Sequence, residues 1–376
     1  MKKLLNFALV TVMICSLAGC SGGGSGSTDT QASSTSTAAP ESTASTEKPS
    51  EQDTTLAGEY PAIPDNGEEY NIILAYSGTN ETTSGKSALQ FKELVETNSN
   101  GKITVSLYDN NQLGSETETI EGVQAGNITM SIVATSPQVT FIPELAVFDL
   151  PNALTDLDAA YEVLESGDFR DQINAAYDKA GFYLAGITPT AFRQMTSNIP
   201  VHSFEDFNGI RIRTMENKYH MAYWSALGTS PTPLAFNELY MGLQQGLVDA
   251  QENPLNSIIS TKLFEQQKYV IKTNHIMFIY CYFMNKDFYE ALPSEYQQVI
   301  NIAINTTTAN VLAESKQAEI DAEQTLKDSG LEIIEVPDDM LAQMVEAAQG
   351  AYDMVRADIG DELVDALLSG MEAASR

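Results

Sequence analysis

Three arginines, Arg193, Arg211 and Arg213, fall within a short stretch of a 376-residue chain that has only 20 basic residues. A guanidinium grips a carboxylate through two parallel, charge-assisted hydrogen bonds, which a lysine cannot match. In "GIRIRT" the strand period of two puts Arg211 and Arg213 on one face and Ile210 and Ile212 on the other. Downstream, "GLVDAQENPL" (246–255) sets Asp249, Gln251, Glu252 and Asn253 directly before Pro254. A plain turn needs only Gly or Asn-Gly, so this density of acids and amides serves something else. Asn253 offers two donors and an acceptor. Glu252 and Asp249 carry the wrong sign to face an anion and are expected to hold backbone or arginine groups. The plain alternative for the arginines is a surface ion pair with one of the 51 acidic residues.

Catalytic chemistry finds little support. The three histidines, His202, His220 and His275, sit in no metal-protease spacing, and no nucleophile elbow or phosphate-binding loop is present. The glycine-rich run 22–26 precedes the folded body and cradles nothing. Cys281 lies in the apolar run "HIMFIYCYFM" and reads as a small buried hydrophobe. No enzyme activity, cofactor or metal is expected. The net charge of −31 argues against nucleic acid and against electrostatic docking on anionic lipid.

These side chains need elements to hold them. "YNIILAYS" and "KITVSLY" read as strands, with a helix between them whose face carries Ala88, Phe91, Leu94 and Val95. "ETETIEGVQAG" is a helix stopped at Gly126, and "ITMSIVAT" is a strand. Helices follow at 156–166 and 169–180, then the strand "FYLAGIT". A second section runs strand "IRIRT", helix 217–227, helix 237–245 and strand "LVDAQ". The long apolar strand "HIMFIYCYFMN" comes next. From Ser294 to Asp328 there is neither Pro nor Gly. A helix of that length measures roughly 50 Å, while a lobe of ~120 residues is about 35 Å across. It therefore spans two lobes. The strand "LEIIEV" and two more helices end the chain. The fold expected is α/β in two lobes, with crossings near 188–192 and 274–278. Ligands of such sheets bind beyond the carboxyl ends of strands, where Ser77, Thr135, Arg213 and Asn253 fall.

The N-terminus is a targeting segment. "MKK" precedes an apolar stretch too short for a ~20-residue span, and it ends in "LAGC". Small residues before Cys resemble the lipobox of bacterial lipoproteins. That implies a signal peptide over 1–19, lipid on Cys20 and a mature chain anchored to the extracytoplasmic face of the cell membrane. Residues 20–69 are rich in Ser, Thr and Gly and read as a disordered tether.

The stretch from "GIRIRTMENKYH" through "PLAFNELY" to "GLVDAQENPLNSI" resembles the solute-binding proteins of TRAP (tripartite ATP-independent periplasmic) transporters. "KLFEQQKYVIKTNH", "NNQLGSETETIEGVQAGNITM" and "VFDLPNAL" extend the resemblance over about 70 to 330. It implies a periplasmic-binding-protein-like architecture, two α/β lobes and a long helix spanning both. The expected division is 70–190 with 277–318 in lobe I, and 191–276 with 319–376 in lobe II. By resemblance, Arg213 forms the salt bridge to the ligand carboxylate and Asn253 hydrogen-bonds the same group. Arg193, in "TAFRQMTSN", is a second arginine reaching the ligand, and Phe236 is an aromatic wall. Glu116, in "QLGSETE", and Ser77 match lobe I positions that vary with the ligand. The implied partners are an organic acid, with a sugar acid favoured by Glu116, and membrane permease subunits that take the acid up on an ion gradient. A monomer is expected. Two departures stand out: Ala250 where the family has Gly, and Thr129 where it has Asp. Other readings are a sensory subunit presenting the ligand to a membrane kinase, an extracytoplasmic hydrolase and, disfavoured by "QENP" and the long helix, an ABC-type binding protein.

Overall fold

A computed structural model describes residues 59–376 apart from 65, 66 and 166. The chain opens with β1 (Tyr70–Tyr76), α1 (Thr83–Asn98), β2 (Ile103–Tyr108), α2 (Glu116–Gln124) and β3 (Met130–Ala134). Two short 3-10 turns lead to α3 (Leu157–Glu165), α4 (Asp168–Lys179) and β4 (Phe182–Phe192). The middle section is β5 (Gln194–Ser197), β6 (Arg211–Thr214), α5 (Lys218–Ala226), β7 (Ser230–Pro233), α6 (Leu239–Gln244), β8 (Ala250–Asn253), α7 (Leu255–Ser260) and β9 (Tyr269–Lys272). Then come β10 (Met277–Asn285), α8 (Lys286–Ala291), α9 (Ser294–Asp328) and β11 (Glu332–Glu335). Three helices end the chain: α10 (Asp338–Ala347), α11 (Gln349–Ile359) and α12 (Asp361–Ala374).

The strands form two sheets, ordered β2-β1-β3-β10-β4 and β11-β9-β5-β8-β6-β7. In the first, β10 runs antiparallel to its neighbours β3 and β4. In the second, β5 runs antiparallel to β8 and β9. Only one residue separates β4 from β5, and four separate β9 from β10. The two crossings therefore form one antiparallel ribbon through both sheets, and its waist is tied by Arg193 N–H donating to Ile276 O at 2.9 Å.

The first sheet is covered on both faces, and strand alternation decides which side chain goes where. In β10, Met277, Ile279, Cys281 and Phe283 join one core, while Phe278, Tyr280, Tyr282 and Met284 join the other. The second sheet has its own pair of cores, one around Ile212, Trp224 and Met344 and one around Leu243, Ile258 and Leu326. The 35-residue α9 enters two of these four. Val299, Ile300 and Ile304 pack on the first sheet, and Ala322 and Leu326 pack under the second. Each of the Val, Ile and Leu side chains contributes about 1.5–3 kcal/mol when fully buried. The expected two-lobed α/β fold with a bridging helix is what the chain forms.

Several expectations shift. The strand placed at "LVDAQ" begins later, at Ala250, because its ladder with β5 starts at the Ala250–Ser197 pair. Asn253 thus ends a central strand instead of sitting in a loop. Thr129 precedes β3 and is not part of it. Three helices, not two, close the chain. The segment 319–376, expected wholly in the second lobe, divides: Val355, Leu363, Val364, Leu367 and Met371 pack into the first sheet's core. The apolar stripe of α12 fits α3 and α4 there, while α11 packs on α5 and on the 3-10 segment Pro143–Asp149.

Candidate functional site

The site forms where three neighbouring strands of the second sheet end. β5, β8 and β6 lie side by side, pairing Gln194 with Asn253 and Arg213 with Gln251. That register brings Arg193, Arg213 and Asn253 together from positions far apart in the chain.

Arg193 sits at the waist of the crossing ribbon and is fully buried. Its Nε and Nη2 engage the Glu252 carboxylate, with Nη2 to Oε1 at 2.8 Å, and Nη2 also donates to Asn253 Oδ1 at 3.1 Å. Its guanidinium lies over the Phe278 ring at 5.1 Å. His275 Nε2 meets the same carboxylate at 3.0 Å, and its Nδ1 meets Thr273 Oγ1 at 2.8 Å. Burial alone would raise the Glu252 carboxyl, but Arg193 and His275 outweigh it and hold it well below the usual carboxylate range. Burial lowers the His275 pKa, against the pull of Glu252. Arg193 already neutralises Glu252, so the imidazole has no need of a second charge.

Arg213 is also buried. Its Nε and Nη2 both donate to Leu234 O, at 3.0 and 2.6 Å. This carbonyl orients the fork without neutralising it. Burial brings its pKa down to about 10, with Glu252 and Glu116 opposing, so it stays cationic at neutral pH. Among the described residues, Nη1 of Arg213 and Nη1 of Arg193 are buried with no hydrogen-bond partner. Arg211, on the same strand face, ends up outside, where Nη2 pairs with Asp249 Oδ1 at 2.6 Å. Glu252 and Asp249 thus hold arginines, as their sign requires.

A cavity between the sheets is lined by Ser77, Glu116, Arg213, Phe236 and Asn253. Five of the six residues singled out by sequence meet on its wall. Arg193 does not line it and stands one layer behind Phe278 and Asn253. Ser77 Oγ donates to Glu116 Oε1 at 2.8 Å. Glu116 is the first residue of α2, whose N-cap Ser115 and Glu118 make a capping box. Burial raises the Glu116 pKa, while Ser77 and the two arginines pull the other way. Asn253 is oriented by Nδ2 donating to Gln251 Oε1 at 2.6 Å. Tyr280, Phe278, Met215, Ser257, Thr82, Gly78 and Ala134 complete the wall, and none of them is singled out by the sequence reading. Phe278 and Tyr280 lie in an apolar run whose cavity-facing phase depends on which strands flank it. Thr135, Tyr219, His220, Tyr223 and Trp224 are buried among other groups and do not line it.

The family described as bacterial extracellular solute-binding protein, family 7, matches residues 74–358. The chain belongs to this family, the solute-binding proteins of TRAP transporters.

The C4-dicarboxylate-binding periplasmic protein DctP of Rhodobacter capsulatus is 29% identical over 310 residues, 81% of this chain and 92% of its own. The sugar acid binding protein of Advenella mimigardefordensis, solved in complex with galactonate, aligns with TM-score 0.79 at 27% identity. The alignment covers 82% of this chain and 99% of that one. A TRAP solute-binding protein of Desulfovibrio salexigens with bound orotic acid gives TM-score 0.78 at 27% identity, over 81% and 100% of the two chains. TRAP solute-binding proteins are extracytoplasmic, bind organic acids, work with membrane permease subunits and are not enzymes. Among the described residues, no helix is long and apolar enough to cross a membrane. Cys20 and the 1–19 segment lie outside the described residues. Ala250, the departure from the family's Gly, occupies a buried strand position without positive φ, where a Cβ costs nothing.

Proposed function

We propose that this chain captures a hydroxylated monocarboxylate, such as a sugar acid, between its two lobes and hands it to permease subunits for ion-driven uptake. The observation that carries this is the pair of buried, unpartnered guanidinium nitrogens on Arg213 and Arg193. An orphaned buried donor costs about 1–3 kcal/mol, more when charged. A carboxylate in the cavity, which Arg213 lines and Arg193 does not, removes that cost at Arg213. Arg213, on the cavity wall, makes the salt bridge. Asn253 adds an amide, Arg193 supports from behind, and Phe236 closes one side. Glu116 and Ser77 face the rest of the ligand. An acidic wall accepts from a hydroxyl and repels a second carboxylate, which favours a sugar acid over a dicarboxylate. The acids named for the three relatives, C4-dicarboxylates, galactonate and orotic acid, share the carboxylate and differ beyond it. The cavity has about 20 Å³ of free volume, room for a single water, so a sugar acid enters only when the lobes part and is enclosed only with its wall side chains moved aside. In the cell, the signal over 1–19 directs export, lipid on Cys20 anchors the chain, and the protein acts as a monomer. The tether expected over 20–69 stops short of Tyr60, because Tyr60 and Ile63 pack on a core of the first sheet and Tyr296 donates to Glu68 O at 2.8 Å.

The test is a thermal-shift panel of galactonate, other sugar acids, succinate and orotate, followed by calorimetry on the best. Arg213→Ala should weaken binding by about 2–5 kcal/mol, at least thirtyfold. An Arg213→Ala protein with unchanged affinity, or a cargo without an acidic group, removes the proposal.

A further inference from the structure

Asn217 and His220 of the second lobe are bonded to Ser136 and Asp149 of the first in a buried cluster that does not line the cavity. A separate side-chain hydrogen bond joins the lobes just beside the cavity. Asn256 Nδ2, on α7 under the second sheet, donates to Thr83 Oγ1, on α1 over the first, at 3.0 Å. Both residues flank cavity-lining neighbours, Ser257 on one side and Thr82 on the other. Together they stand over a groove of about 220 Å³ walled below by Val311, Glu314, Ser315 and Ala318 of α9. This is the part of α9 between its two anchorages: from Asn305 to Asp321 none of its residues belongs to either sheet's apolar core.

Asn256 is itself held from α9. Glu319 Oε2 accepts the Leu255 N–H and Oε1 accepts the Asn256 N–H, both at 3.2 Å. These are the first two backbone donors of α7, directly after Asn253 and Pro254. A carboxylate that takes both fixes where α7 begins and where the Asn256 side chain points. Thr83 is fixed in the same way, because the Thr82 hydroxyl caps α1 by accepting from Gly85 N–H.

We propose that Asn256 is a clasp that holds the lobes closed through Thr83, and that Glu319 is the positioning residue that sets it. The inference rests on the reading of the cleft as a ligand site that opens and closes. The clasp touches no ligand and acts on the closed state alone. Removing it therefore speeds ligand release and does not slow capture.

The test uses the full chain with spin labels on Glu93→Cys and Lys268→Cys, one per lobe. Inter-label distances are read without ligand and with saturating galactonate, succinate or orotate. Thr83→Val and Asn256→Ala should each shift the distances toward the open form. They should each raise the release rate of any bound acid about threefold to tenfold. The double variant should do no more than either single one, because both break the same bond. Glu319→Ala should act in the same direction, and Glu319→Gln, which keeps one acceptor, should recover part of the loss. Additive effects, no effect, or a wild-type chain that never reaches the short separation overturns the clasp. A chain that closes and responds to the substitutions but binds no acid upholds the clasp and removes the carboxylate reading instead.

Discussion

Arg213 stood out because arginine is rare in so acidic a chain, whereas asparagine is common in it and Asn253 stood out only through its place in "QENP". Arg193 was read by the same logic, yet its guanidinium spends two of its nitrogens on Glu252. Nothing in "TAFRQMTSN" says that β5 pairs with β8 and puts Met195 opposite Glu252. That pairing makes Glu252 a buried ion held chiefly by Arg193, with His275 beside it. Breaking a buried pair costs about 3–5 kcal/mol, so Arg193→Ala should lower unfolding stability by that order in a denaturant titration. A mere ligand contact at that position would leave stability unchanged. His275 adds a pH signature. Its folded pKa lies below its ordinary 6.5, so below that pH the unfolded chain takes a proton that the fold resists. The stability it supports is present above 6.5 and is lost as pH falls toward the folded value. His275→Gln should therefore flatten the fall in melting temperature between pH 7 and pH 5.

At the scale of elements, α9 was the most legible feature: a run without Pro or Gly can hardly be anything else, and its bounds came out as read. Short strands were harder. β5, β7 and β9 have four residues each, too few for period-two alternation to stand out. β8 hides because all four of its residues are buried, so it shows no polar and apolar faces. Which lobe the terminal helices join depends on where complementary grooves lie, and an amphipathic stripe carries no address. The close approach of β4 to α9 was equally hidden, and it is testable. A Cβ on Gly186 would fall inside contact distance of Ile304 Cγ2 and lie 3.1 Å from Thr308 Cγ2. Gly186→Ala should cost about 1–3 kcal/mol by overpacking, seen as a lower denaturation midpoint with unchanged slope.

At the scale of the molecule, the charge of −31 opposes an anionic ligand at long range. Screening over about 8 Å at physiological salt removes most of that repulsion, while the buried arginines lose little. Association of an organic acid should thus speed up as salt rises from low ionic strength to about 0.15 M, as stopped-flow mixing would show. An association rate that falls with salt would mean that local attraction governs capture. The strand order has a further consequence for how the chain is made. β10 lies between β3 and β4 in the first sheet, yet it follows the whole second sheet except β11. A chain emerging from its N-terminus cannot finish one half before starting the other. Until residue 285 is out, β3 and β4 present bare backbone edges, the kind that recruit other chains. A product ended at residue 276 should clump, whereas the complete chain should refold slowly and as one unit, its assembly timed by the late arrival of a central strand.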